Sequence, residues 1–296
     1  MEDAMKVTRN NEGLGARVTD IDLAQPLDSD SFRSILRALG EHGVLCVPGQ
    51  LLEPSELSAF GSRFGELEIN VANAFHADNR PEVMVLSNVV KDGKPLGLSD
   101  AGQGWHTDMS YSHDIALANV LHAKQVPVRN GRPLGDTQFR NMHAAYDDLP
   151  AEVKARLEGR TAIHDFNKFW EVMRARPGSG RKPLTEEQRR KKPPVSQPIF
   201  RVHPITGRRV LYCNPGYAVR IEGMEKAESD ATLEYLFKHQ SQPKYLYSHR
   251  WTPGDVLMWD NIGTTHNAVS DYRPDEPRLI HRVQVMATLD YGRLAA

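Results

Sequence analysis

Apolar residues recur along this chain with two different periods. In SDSFRSILRALGEHG, Phe32, Ile35, Leu36 and Leu39 stand at i, i+3, i+4 and i+7, the spacing of one helix face, with polar residues ahead of it and Gly40 and Gly43 at its end. EPSELSAFGSRFG repeats the pattern with Leu57, Phe60 and Phe64. Two further helices are predicted around HAAYDDLPAEVKARLEG and ATLEYLFKHQ. The other signal is a set of short runs rich in Val, Ile, Leu and Tyr, bounded by Gly, Pro, Asn or Asp: VLCVPG, VMVLSNVV, IALANVLHA, RRVLYCN, KYLYSHRW, DVLMWDN and HRVQVMATL. These read as strands. Many short strands with few helices between them argue against alternating β–α units. They fit a sandwich or jelly roll decorated by helices. No fixed-period repeat and no linker divides the chain, so one domain over 1–296 is expected.

One stretch breaks the pattern. RARPGSGRKPLTEEQRRKKPPVSQP, 174–198, is basic and rich in Pro and Gly. Long charged stretches of this kind run over surfaces, and a solvated loop is one reading. The other is a lid loop, over 166–198, closing on a site built from residues on either side of it in the chain.

Composition narrows the function classes. Lys plus Arg total 37 and Asp plus Glu total 38, for a formal net charge of −1. That balance gives no electrostatic footprint for nucleic acid or for a membrane surface. No apolar run approaches the roughly 18–20 residues that span a bilayer. MEDAMKVTRNNEGLGARV lacks the apolar core of a secretory signal. The two cysteines, Cys46 and Cys213, make no disulfide framework. A reducing cytoplasm is the expected location.

The densest polar run is WHTDMSYSHD, Trp105 to Asp114. On a strand, residues i and i+2 share a face, so His106 and Asp108 can present an imidazole nitrogen and a carboxylate oxygen together. Alone the pair reads equally as a polar turn. A third donor changes this: His266 follows the apolar run DVLMWD by a short turn, and sandwich topologies bring such distant strands together. Two histidines and one carboxylate on one face of an octahedral metal leave three positions open, as in non-haem Fe(II) oxygenases. Arg278 and Arg282 lie four apart around LIH and would share a face in a strand. A guanidinium clamps a carboxylate through two hydrogen bonds and stays charged when buried. Arg282, inside the apolar run HRVQVMATL, needs a partner. His113, His122, His164, His203, His249 and His281 are read as polar or core histidines, and Trp105 as a packing residue.

With these residues in view, the chain resembles the TauD/TfdA family of Fe(II)- and 2-oxoglutarate-dependent dioxygenases. The likeness runs through GVLCVPGQLLEPSELSAFGSRFGELE, WHTDMSY, GRPLGDTQFRNMHAAYDDLP, HPITGRRVLYCNPGYAVRIEGM and HRWTPGDVLMWDNIGTTHNAVSDYRPDEPRLIHR, in that order. It implies a double-stranded β-helix, a jelly roll with added helices. It implies Fe(II) at His106, Asp108 and His266, and 2-oxoglutarate held at its far carboxylate by Thr137 and Arg278. O2 is the other co-substrate, and succinate and CO2 are products. Arg282 stands where the family holds an anionic substrate group. Asn70 and Asn73 stand where taurine dioxygenase has a His and a Tyr, a departure that counts against taurine itself. Tyr217 falls at an aromatic pocket position. The implied substrate is a small organic anion such as a sulfonate, aryloxyalkanoate or alkyl sulfate, and the implied assembly a homodimer or homotetramer. Two alternatives carry different chemistry. A Zn(II) hydrolase could use the same donors but has no need of Thr137 with Arg278. A non-catalytic, cupin-like metal binder would be expected to close its metal site with a fourth protein ligand.

Overall fold

The computed structural model describes residues 5–11, 13–69, 75–77, 79–176, 179 and 181–296. Asn70 and Asn73 lie outside the described residues. The chain is mainly β with helices. Its largest sheet has eight strands in the order Lys6–Arg9, Ala16–Thr19, Val44–Val47, Val256–Asp260, Ala116–Gln125, Leu279–Met286, Arg80–Ser87 and His76–Ala77. Every pairing in it is antiparallel except Ala16–Thr19 with Val44–Val47. A second sheet sets Thr137–Asn141 between Leu246–His249 and Thr264–Ala268, and a third sets Thr161–His164 between Val195–Pro198 and Ala218–Ile221.

The period-2 rule of a strand sorts the central residues into two cores. Val120, Met258, Val283 and Val285 face the larger one, with Leu36, Leu39, Leu57 and Phe64 from the helical side. Their chain neighbours Leu121, Leu257 and Trp259 face the other, as does Ile280, with Phe139 and Tyr247 from the three-stranded sheet and Trp251 just beyond it. Strands buried on both faces read as near-continuous apolar runs, which is why DVLMWD shows no alternation.

Helix Ser29–His42 starts where the Asp28 carboxylate accepts from the backbone N–H of Asp30 and Ser31, both at 2.8 Å. It stops at Gly43, whose φ of 69° is the left-handed cap that glycine adopts without strain. Gly40 lies inside the helix, and a Cβ there would meet Ile205 and Thr206 below 3.0 Å. Helix Pro54–Ser62 opens with Pro54 and a reciprocal cap between Glu53 and Glu56, and packs on Arg80–Ser87 and Leu279–Met286. The region predicted as one helix around Ala151 is two, Met142–Asp147 and Ala151–Leu157. Pro150 has no N–H to continue the first and serves as the cap of the second.

The basic stretch is not simply a loop. Helices Phe166–Arg174 and Glu186–Lys191 and strand Val195–Pro198 occupy much of 166–198. The second helix forms because Thr185 and Gln188 cap each other, with acidic residues in its first turn and basic ones in its last. Among the described residues, no helix is long and apolar enough to cross a membrane.

Phe64 is fully buried, with ring centroids 5.1 Å from Phe32 and 5.3 Å from Phe60. Phe64→Ala is expected to cost about 3–5 kcal/mol, read as a lowered urea midpoint at unchanged slope.

Candidate active site

The chemistry-bearing residues meet where the 104–108 segment is zipped against 261–267. His106 N–H donates to His266 O at 3.1 Å, and His266 N–H returns to His106 O at 2.9 Å. On one side of this pair, Gly104 N–H donates to Asn267 Oδ1 at 2.7 Å. On the other, the Asn261 amide takes both backbone groups of Asp108, accepting from its N–H at 3.2 Å and donating to its C=O at 2.8 Å. His106 is therefore in an isolated bridge and Asp108 already in a turn. The shared strand face expected of the pair does not exist; the cross-chain bridge and the Asn261 clamp bring the side chains together instead. Met109, directly after, holds φ at 57°, a left-handed conformation that persists only where its surroundings enforce it. Gly216 makes the close approach workable, since a Cβ there would lie 2.7 Å from His106 Cβ.

His106, Asp108 and His266 each direct one ligand atom to a common point, all within 4.8 Å of one another. His106 Nε2 is 3.4 Å from Asp108 Oδ1, and His266 Nε2 is 3.6 Å from Asp108 Oδ2. His106 Nδ1–H donates to Gly104 O at 2.6 Å, which leaves Nε2 with its lone pair on the inner side. Burial, then the neighbouring His106, pushes His266 well below the usual imidazole range, so it is neutral. Burial acts to raise the Asp108 carboxyl, but the Arg282 guanidinium and the His106 contact outweigh it and hold the group well below the usual carboxylate range. Neutral imidazoles and an ionised carboxylate are the protonation states that metal binding requires.

Arg282 lies in Leu279–Met286, with Nη2 2.7 Å from Asp108 Oδ2 and Nε 2.9 Å from Asn119 Oδ1. With its amide turned to satisfy both ends, Gln284 accepts from Arg282 at 2.9 Å and donates to Glu68 at 3.0 Å. Arg278 precedes that strand, and the register shifts between Leu279 and Ile280, so the two arginines do not continue one alternation. The Arg278 guanidinium is buried beside Gly135 and the Tyr272 ring. Among the described residues its charge is answered by Tyr272 and not by a carboxylate. Thr137 opens its strand, and its Oγ1 accepts from Trp251 Nε1 at 3.0 Å.

Tyr217 is buried in an aromatic wall with Tyr111 and Phe169, at ring separations of 4.8 and 5.2 Å. Phe169 stands 4.9 Å from the His106 ring. Phe169 and Asn119 are not marked by any motif, and Asn261, inside a quoted stretch, is given no role by it. Asn119 does leave a trace, as the one polar residue within the apolar half of IALANVLHA, and a buried amide needs partners. Trp105 stacks under Arg140, 3.7 Å from guanidinium carbon to ring centre.

Residues 6–284 match the family described as taurine catabolism dioxygenase TauD, TfdA family. The chain belongs to this family. It is 36% identical over 262 residues to the alpha-ketoglutarate-dependent 2,4-dichlorophenoxyacetate dioxygenase of Cupriavidus pinatubonensis, covering 85% of this chain and 87% of that one. It is 31% identical to the pentalenolactone F synthase of Streptomyces avermitilis, covering 96% and 94%. The crystal structure of AAD-2 with Mn(II) and N-oxalylglycine superposes with a TM-score of 0.79 at 26% identity, covering 97% and 98%. The chain is accordingly an alpha-ketoglutarate-dependent, non-haem iron dioxygenase.

Asn261→Ala frees the backbone of Asp108 while leaving every proposed donor in place. A fall in Fe(II) affinity on the order of 10–100-fold is expected, the usual cost of losing an outer support of a metal ligand. Equilibrium dialysis checks it, with circular dichroism to show retained structure.

Proposed function

We propose that His106, Asp108 and His266 hold Fe(II), that Arg278 and Thr137 hold 2-oxoglutarate, and that a small organic anion is hydroxylated beside Arg282, Tyr217 and Phe169. The observation that carries this is the convergence of two imidazoles and one carboxylate on one point, with His266 held neutral and Asp108 ionised. The donor set suits Fe(II), and three protein ligands leave room for the oxo-acid and O2. Fe(II) held there would supply O2 activation, one oxygen atom going to succinate as 2-oxoglutarate loses CO2 and the other into a substrate C–H bond.

The protein's part is charge, orientation and exclusion of water. A buried guanidinium without a carboxylate partner is costly, and the far carboxylate of 2-oxoglutarate answers Arg278. Thr137 accepts from the Trp251 indole, which leaves its own O–H free to donate to the same carboxylate. Tyr217, Tyr111 and Phe169 exclude water from the reacting face. Arg282 reaches Asp108 through Nη2, and an anionic substrate group takes its remaining donors. Asn70 and Asn73 keep their proposed place at the substrate through the family likeness alone.

The wider architecture supports the same reading. The two sheets flanking the core of Phe139, Trp259 and Ile280 are read as the halves of a double-stranded β-helix, and 1–296 as one domain. The 166–198 segment is read as the lid. Its Arg181 forms a two-pronged pair with Asp100 at 2.8 and 3.0 Å, Gln197 donates to Ser112 O at 2.7 Å, and Lys192 lies over the rings of Tyr111 and Phe166. These contacts bind it to the segment carrying His106 and Asp108. Two buried free cysteines fit a reducing cytoplasm.

Asp108→Ala and His266→Ala are expected to abolish succinate formation and Fe(II) retention; full coupled turnover in either excludes the assignment. Arg278→Ala removes one partner of a buried charge pair, at about 2–5 kcal/mol. The 2-oxoglutarate concentration for half-saturation should rise at least ~30-fold. Arg282→Ala should instead raise the KM of the primary substrate, found by screening sulfonates, sulfates and aryloxy acids for succinate release. Equal effects of both variants on both substrates would contradict the division of roles.

A further inference from the structure

A second set of donors converges across the three-stranded sheet from His266. Cys46 lies in Val44–Val47, His249 ends Leu246–His249, and Asp255 sits in the turn before Val256–Asp260. All three are buried, and one ligand atom of each lies within 4.8 Å of the others. His249 Nε2 is 3.3 Å from Asp255 Oδ2, yet this buried nitrogen makes no hydrogen bond among the described residues. Asp255 is fixed by Thr252, whose N–H donates to Oδ2 at 2.8 Å. The His249 ring is set edge-on to Trp251 at 4.9 Å, and its Nδ1 is 3.5 Å from the Tyr247 hydroxyl. A cleft of about 730 Å³, lined by Arg9, Arg17 and Arg250, opens onto Cys46 and His249.

We propose that Cys46, His249 and Asp255 form a second metal site, for a thiophilic divalent ion of the Zn(II) class, with its fourth position open to the cleft. Thiolate, imidazole and carboxylate are zinc's three protein donor types, and three protein ligands with one open position is a recurrent zinc geometry. Donors about 2.0–2.3 Å from a tetrahedral ion lie roughly 3.3–3.8 Å from one another. The His249–Asp255 separation of 3.3 Å already has that spacing. The cationic rim favours an anion or hydroxide as the fourth ligand.

Two other readings fit less well. In a nucleophilic Cys–His–Asp device the carboxylate and thiol occupy opposite ring nitrogens, but here the carboxylate stands at Nε2 and Nδ1 looks to Tyr247. The buried trio His143, His203 and Asp260 shows what a purely structural cluster looks like. His203 Nδ1 accepts from the N–H groups of Ile205 and Thr206, both at 3.3 Å, so the proton sits on Nε2, 3.0 Å from Asp260 Oδ2. That nitrogen has no lone pair to offer a metal. Among the described residues His249 has no such backbone donor at its ring, only the Tyr247 hydroxyl at 3.5 Å from Nδ1.

The test uses the full chain titrated with Co(II), because the His106, Asp108 and His266 site contains no sulfur. The expected result is two bound equivalents, with thiolate-to-cobalt charge-transfer absorption in the near ultraviolet. Cys46→Ser should remove that absorption and one equivalent while 2-oxoglutarate binding and thermal melting are kept. His249→Gln gives an independent second variant and should also lose one equivalent. A single equivalent without sulfur absorption in the unaltered chain, or absorption that persists in Cys46→Ser, overturns the proposal.

Discussion

Two backbone hydrogen bonds exchanged between His106 and His266 hold the functional centre together. The residues are 160 positions apart in the chain, and the pairing brings their rings to 4.2 Å with a 48° tilt between them. Once that pair forms, the positions around it follow. Asn267 takes Gly104, Asn261 takes Asp108, and the chain turns sharply at Met109 because it has been fixed on both sides. The Gly104 carbonyl then selects the His106 tautomer. Backbone geometry thus determines which nitrogen faces inward, and the side chains need little freedom of their own.

Charge is distributed around this centre so that no buried ion stands without an answer for long. Asp108 is ionised because Arg282 is beside it. Arg282 is in turn steadied by Asn119, and through Gln284 is tied to Glu68. Arg278 differs: among the described residues Tyr272 meets it through its hydroxyl and a ring face, and no carboxylate pairs with it. The two arginines, four residues apart, therefore offer different things to an incoming anion. One is shared with the Asp108 carboxylate, and the other is held in reserve.

Much of this was legible in the sequence, and the failures have physical reasons. The helices around Leu36 and Leu57 and the main apolar strands follow from residue period, because burial of one face or both faces leaves a pattern. His106, Asp108 and His266 were identifiable from donor type, and Arg282 from its presence in an apolar run. The turn geometry at Asp108 was not, since an isolated bridge between distant segments leaves no period. Thr137 was visible only through family likeness; its donor, Trp251, is remote in sequence. Phe169 lies in a short aromatic run just ahead of the basic stretch, with no donor type or period to single it out, although its ring stands 4.9 Å from His106. The split at Pro150 was a missed breaker and needed no tertiary information.

The 166–198 segment is fastened differently from everything beneath it. Apart from the Val195–Pro198 pairing, it is held by side chains reaching outward: an arginine on Asp100, a lysine over two rings, an indole N–H on the Lys182 carbonyl. Among the described residues, Phe169 is the ring it sets against His106. The backbone bonds between His106 and His266 do not pass through this segment, so changes within 174–194 reach that pair only through side chains. Within such a scaffold, a lineage can change the size and shape of what it admits while its oxidative chemistry is inherited intact.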